Sequence, residues 1–283
     1  MNQWQTSPSV TEIAAKLSPP RESWTLFNRC NVPSAVLASL DFQQRPERVE
    51  LDGVACIHKD LWLRMERLTC PADRAEQFMD YMVVYFSLAS PDNAGFSDKA
   101  RICRNKADYL SLLRGWLFNP DGREGAVMKG WVASRFGLLP RYFAGRISPD
   151  DDAYLRFLSQ QSAGVYNTNN LEGQLDLLYT YCQYELQLQQ PGQLHRTLFR
   201  GVNRLAKHDI VEKLGQRRYV VLLNNLNSFT TNRERADEFG DQILATEVPI
   251  PKILFFNTLL PGVLKGEEEY LVIGGLYEVT LST

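Results

Sequence analysis

Three short segments in the last third of the chain carry polar side chains where a strand built only for packing would carry none. In Thr197-Leu198-Phe199-Arg200-Gly201-Val202 an arginine lies inside an apolar run. Its guanidinium is a planar fork of N–H donors that fits a pyrophosphate or a ribose, and Gly201 lets a ligand approach the backbone closely. The plainer alternative is an arginine at a strand end, exposed or paired. In Asn227-Ser228-Phe229-Thr230-Thr231-Asn232 the residues Ser228 and Thr230 are two apart, so their hydroxyls share one face of an extended chain and Phe229 faces the core. The plainer use of these hydroxyls is to cap and turn. Thr231 or Asn232 then caps a following helix, with Ala236 and Phe239 packed inward. In Gly266-Glu267-Glu268-Glu269-Tyr270-Leu271-Val272 three acids precede an apolar strand, ordinarily a solvated turn. Strand alternation places Glu267 and Glu269 on one face and Glu268 on the other. Two convergent carboxylates suit glycosyl transfer, where one stabilises an oxocarbenium-like cation and the other serves as base for the nucleophile.

The elements that must position these residues fall into two textures. Apolar stripes at helical spacing run through 72–88 (Ala75, Phe78, Met82, Tyr85, Phe86), 106–118 (Tyr109, Leu112, Leu113, Trp116, Leu117) and 171–190 (Leu175, Leu178, Tyr181, Cys182, Leu186). Further helices are expected at 131–144 and 151–159. After Pro191-Gly192 the pattern becomes short β-rich runs at 197–202, 219–223, 243–248, 270–273 and 276–281, with one short helix near 233–239. Gly274-Gly275 between the last two runs reads as a hairpin turn. The expectation is an α+β fold, a helical region over 1–170 followed by a sheet region over 171–283, with a soft boundary that allows one compact unit.

Composition limits the function classes. The chain has 283 residues, 44% hydrophobic and 23% charged, with 31 basic and 33 acidic side chains for a formal charge of −2. Such a balance leaves no electrostatic footprint for general nucleic-acid binding. The start lacks a basic segment followed by an apolar one, and the most apolar stretch, 253–264, is too short to span a bilayer. Five cysteines (Cys30, Cys56, Cys70, Cys103, Cys182) form no C-x-x-C pair, which predicts reduced, mostly buried thiols in a cytoplasmic protein. His58, His195 and His208 offer no metal-ligand spacing, so no metal is expected. Asp150, Asp152, Arg135, Arg141 and Arg146 are either docking surfaces or, more simply, a solvated face.

Taken in order, F-R-G, then S-x-T before A-x-x-F, then E-x-E before Y-L-V resembles the Arg–Ser–Glu class of mono-ADP-ribosyltransferases. The stretches at 26–40, 51–58, 74–82 and 259–275 (LLPGVLKGEEEYLVIGG) are similar to the dinitrogenase reductase ADP-ribosyltransferases of nitrogen-fixing bacteria, over most of 24–283. The resemblance implies a split β-sheet core with an NAD cleft at 171–283, and partner or target recognition and support from 1–170. It implies that Arg200 contacts the NAD phosphate and ribose and that the Gly201 backbone holds the nicotinamide amide. Ser228, with Thr230 in support, would order the nicotinamide half and position the acid. Glu269 would bind the ribose and stabilise the cation, and Glu267 would orient or deprotonate the target guanidinium. Ser228-Phe229-Thr230 departs from the commoner Ser-Thr-Ser, and 255–266 lacks a tyrosine often found there in toxins. NAD is then a substrate and the acceptor is an arginine of dinitrogenase reductase. Control by a PII nitrogen-signalling protein, reversal by a separate ADP-ribosylglycohydrolase and action as a monomer follow from the same resemblance. Competing expectations are an NAD glycohydrolase, an arginine-directed transferase with another target, and a non-catalytic NAD-binding regulatory module.

Overall fold

The computed structural model describes residues 18–88, 107–148, 151–166, 168, 170–203, 205, 209–262 and 268–282. After short helical turns between Ser34 and Met65 come the longer helices. The first of these, α1 (Pro71–Tyr85), starts on a proline whose missing N–H costs nothing at a helix N-terminus. It buries Ala75, Phe78 and Met82, whereas Tyr85 is about half exposed and Phe86, just past the helix end, packs instead. Helix α2 (Tyr109–Phe118) opens with a capping box between Asp108 and Ser111 and buries Tyr109, Leu112, Leu113 and Trp116. Helix α3 (Arg123–Phe136) begins well before the expected position 131 and stops at Gly137, in the left-handed region at φ 69°. Its two early glycines hid it from periodicity, but both serve packing. A Cβ on Gly125 would lie 2.0 Å from the Pro120 carbonyl oxygen, and one on Gly130 would lie 2.1 Å from Gln161 Nε2. Helices α4 (Asp152–Val165) and α5 (Leu171–Gln189) follow, the latter capped by the Asn170 side chain. Among the described residues no helix is long and apolar enough to cross a membrane.

The fold is α+β, its sheet entirely antiparallel. The strands are β1 (His195–Val202), β2 (Ile210–Lys213), β3 (Arg218–Thr230), β4 (Gln242–Pro249), β5 (Ile253–Phe256) and β6 (Glu269–Ser282), in the order β2-β3-β1-β4-β6-β5 with an added β3–β6 pairing. The pairings β1–β4, β4–β6, β6–β3 and β3–β1 close into a ring, and the last link is a single pair, Phe199 with Thr230. A short helix, α6 (Arg233–Asp237), joins β3 to β4.

Gly274-Gly275 is not a hairpin: β6 runs through it unbroken. The glycines serve close approach instead. Gly275 takes φ 112° beside the Ala38 backbone, the Leu276 N–H donates to the Ala38 carbonyl at 2.8 Å, and a Cβ on Gly274 would lie 1.7 Å from the Asn224 carbonyl oxygen. The partner strand shifts register opposite, between Leu223 and Leu226.

One hydrophobic cluster draws on both parts of the chain, with Phe78, Trp116, Trp131 and Tyr181 from helices and Leu198, Phe229, Leu244 and Leu271 from strands. Two buried ion pairs brace the helices. Arg74 forks onto Glu185 (Nε–Oε1 2.5 Å, Nη2–Oε2 2.8 Å), tying α1 to α5. Arg135 forks onto Asp176 (2.7 and 3.0 Å) and also reaches Glu172, tying α3 to α5. Arg135 is therefore an internal brace and not a docking surface, and Arg141 likewise pairs with Asp209. Arg146 and Asp152 are exposed, and Asp150 lies outside the described residues. Of the thiols, Cys30 and Cys182 are buried but Cys56 and Cys70 are exposed, and Cys103 lies outside the described residues.

Candidate active site

The strand register brings the three polar segments together. Thr230 pairs with Phe199 of β1 on one side and with Glu269 of β6 on the other, and Ser228 pairs with Leu271. Arg200 and Gly201 therefore lie one and two residues beyond the pair that closes the ring. Arg200, Gly201, Ser228, Thr230 and Glu269 all line one cleft of about 390 Å³. Glu267 lies outside the described residues. Glu268, expected to point away, is exposed at the edge of the same cleft, because β6 begins only at Glu269 and strand alternation does not govern the residue before it.

Each side chain has a distinct setting. Arg200 is partly buried, and its Nη1 donates to the Ser228 carbonyl at 2.7 Å. Burial pulls the guanidinium below its ordinary value, and the Glu269 carboxylate opposes that. An arginine so placed stays charged. Thr230 Oγ1 accepts from the Asn232 N–H at 3.1 Å, so this hydroxyl serves the turn. Asn232 caps α6 by accepting from the Glu234 and Arg235 N–H groups. Ser228 instead shares a donor with the Glu269 carboxylate. The Trp116 indole N–H lies 2.9 Å from Ser228 Oγ and 3.2 Å from Glu269 Oε1.

Two expectations change. Gly201 meets a packing demand before any ligand arrives, since a Cβ there would lie 2.0 Å from the Ala236 carbonyl oxygen. Phe239 does not pack inward: α6 ends at Asp237, so Phe239 leaves helical register and stands 59% exposed on the cleft wall.

A second cavity of about 260 Å³ adjoins the first across Trp116, Arg200 and Ser228. Its walls include Lys129, Tyr142, Asp209, Asn224 and Asn227. Lys129 Nζ donates to Asp121 Oδ1 (2.7 Å) and to the Tyr142 carbonyl (3.1 Å). Burial lowers its pKa and Asp121 opposes the shift. The Tyr142 hydroxyl donates to Asp209 Oδ1 (3.0 Å), and its pKa is pushed up to about 12, chiefly by burial and then by Asp209. Asn224 and the neighbouring Asn225 tie β3 to α3 and the loop after it, through the Arg141 N–H and the Lys129 and Leu138 carbonyls. Among the described residues no acid, cysteine and histidine cluster could hold a metal ion.

Trp116 and Lys129 escaped the sequence reading because both sit in apolar helical runs. Their signals are faint: a buried indole N–H needs an acceptor, and a lysine flanked by Ala126-Val127-Met128 and Gly130-Trp131 needs a reason to be buried.

Residues 27–281 match the family model described as dinitrogenase reductase ADP-ribosyltransferase. A Rhodospirillum rubrum protein named NAD(+)--dinitrogen-reductase ADP-D-ribosyltransferase is 38% identical over 260 residues, spanning 90% of this chain and 94% of that relative. No solved structure matches significantly.

Proposed function

The chain belongs to the dinitrogenase reductase ADP-ribosyltransferase family, and on that premise we propose that it transfers ADP-ribose from NAD to an arginine of dinitrogenase reductase, the nitrogenase iron protein. Nicotinamide leaves, and nitrogenase is reversibly inactivated. The observation that carries the reading is the shared cleft wall of Arg200, Ser228 and Glu269.

Nicotinamide in NAD is already a cationic leaving group, so no strong acid is required. When the C1′–N bond breaks, its electron pair goes to nicotinamide and positive charge develops on the ribose. A carboxylate fixed beside the anomeric carbon stabilises that charge. Glu269 takes this role, with Ser228 at its side. The acceptor guanidinium, whose pKa exceeds about 12, must lose a proton as its nitrogen bonds to C1′. Glu267 is the base assigned to that proton, from the family motif. Arg200 grips the pyrophosphate and ribose, and the Gly201 backbone holds the carboxamide.

The two cavities meet at Arg200, which suits a dinucleotide laid across it. The nicotinamide riboside then lies toward Glu269 and the adenosine toward Asn224 and Asn227. The proposed division of labour puts the split-sheet catalytic core at 171–283 and recognition and support at 1–170, with Trp116 and Lys129 completing the cleft from the helical side. Cytoplasmic location, monomeric action and control by a PII protein belong to the same proposal.

The test is incubation of the purified chain with dinitrogenase reductase and NAD labelled in the adenylate. Label on the iron protein, lost when its acceptor arginine is replaced by lysine, is expected. Nicotinamide release without label would instead identify an NAD glycohydrolase, and no NAD-dependent rise in melting temperature would leave no NAD site at all.

A further inference from the structure

We infer that Trp116 is a positioning residue for the catalytic carboxylate, its single indole N–H shared between Ser228 Oγ and Glu269 Oε1. The inference deepens the proposed transferase reading and rests on it.

An indole N–H is a donor with no acceptor capacity, and a donor held 2.9 and 3.2 Å from two oxygens forms a three-centre bond. Packing alone would ask only for some acceptor, and a backbone carbonyl would serve. Here both acceptors are side chains of the cleft, on two different strands. Glu269 is 8% exposed, and a carboxylate withdrawn from water is held in one orientation only if a donor meets it. Donation to the charged form also keeps it charged.

The tryptophan itself is held firmly. It is 2% exposed, near the end of α2, and Lys129 Nζ lies 5.7 Å from the centre of its ring. The opposite end of α2 is fixed by its capping box and by the Tyr109 N–H, which donates to Gln174 Oε1 of α5 at 2.9 Å. Trp116 thus carries the rigidity of the helical part to a carboxylate on the first residue of β6.

The experiment replaces Trp116 by phenylalanine in the full chain, and separately by the tryptophan analogue whose indole N–H is a sulfur atom. Both keep an aromatic ring, and the second keeps the shape as well. With dinitrogenase reductase and NAD, kcat for both transfer and NAD hydrolysis should fall on the order of a hundredfold, the scale of a misplaced catalytic group, while KM for NAD stays within about twofold. If Trp116→Phe does not fold, the sulfur analogue alone decides. Unchanged kcat in the analogue overturns the inference, as does a loss carried by KM for NAD alone. A wild-type chain that neither releases nicotinamide nor labels the iron protein overturns the functional reading itself.

Discussion

Arg200 Nη1 donates to the carbonyl of Ser228 at 2.7 Å, so the β1 guanidinium is fastened to the strand that carries the Ser228 hydroxyl. Only one of its five donors is used in that bond, and the guanidinium also lines both cavities. Replacement by alanine should therefore act mainly on NAD affinity. A charge-assisted hydrogen bond is worth about 1.5–3 kcal/mol, so Kd for NAD should rise about tenfold to a hundredfold. Calorimetric titration reads this directly, and an unchanged Kd would remove Arg200 from the NAD site.

The two glutamates should separate by reaction. Glu269→Gln keeps the volume and removes the charge proposed to stand beside the anomeric carbon, so transfer and NAD hydrolysis should both be lost. Glu267→Gln removes only the base proposed for the guanidinium, so transfer to protein should be lost while some hydrolysis remains. Measured nicotinamide release distinguishes them. Wild-type release from Glu269→Gln would end the assignment.

What was legible in the sequence was local. Ser228, Thr230 and Glu269 lie on strands whose period-2 pattern spans a few residues, and the register then aligns them across β3 and β6. Trp116 was not legible as a site residue because its partners stand 112 and 153 positions away, and only the tertiary fold brings them near. Gly274-Gly275 misled for another reason. Glycine marks a turn and a close backbone approach with the same letter, and here the second use holds. Phe239 was misplaced because α6 stops earlier than its apolar spacing suggested.

The Arg74–Glu185 fork should matter to stability rather than to catalysis. Both side chains are almost fully buried, Arg74 also donates to the Leu68 and Thr69 carbonyls, and hydrogen bonding to Glu185 raises the arginine pKa. Removing one member leaves the other charge buried without its partner, which typically costs about 3–5 kcal/mol. Glu185→Ala should shift the urea midpoint down accordingly, and a change below about 1 kcal/mol would mean that water reaches the pair.

Lys252 makes the pH dependence of stability testable. Its side chain is fully buried, Nζ donates to the Gly274 carbonyl at 2.9 Å, and the rings of Tyr277 and Phe42 lie 4.6 and 5.6 Å away. Those rings favour the charged form, but desolvation outweighs them and brings the pKa down to about 7. In the unfolded chain the group titrates near its ordinary value of about 10.4. Between those limits the unfolded state binds more protons than the folded one, so stability rises with pH across about 7 to 10.4. Below about 7 both states are protonated and the cost is constant. Lys252→Met removes the titration but leaves the Gly274 carbonyl without its donor, a loss of about 1–3 kcal/mol. The net gain at pH 7 should be on the order of 2 kcal/mol, a pKa depression of several units less that loss. By pH 10 the gain should have vanished or reversed. Urea unfolding of both proteins across pH 7–10 checks the sign, and parallel curves would show that Lys252 keeps an ordinary pKa in the folded chain.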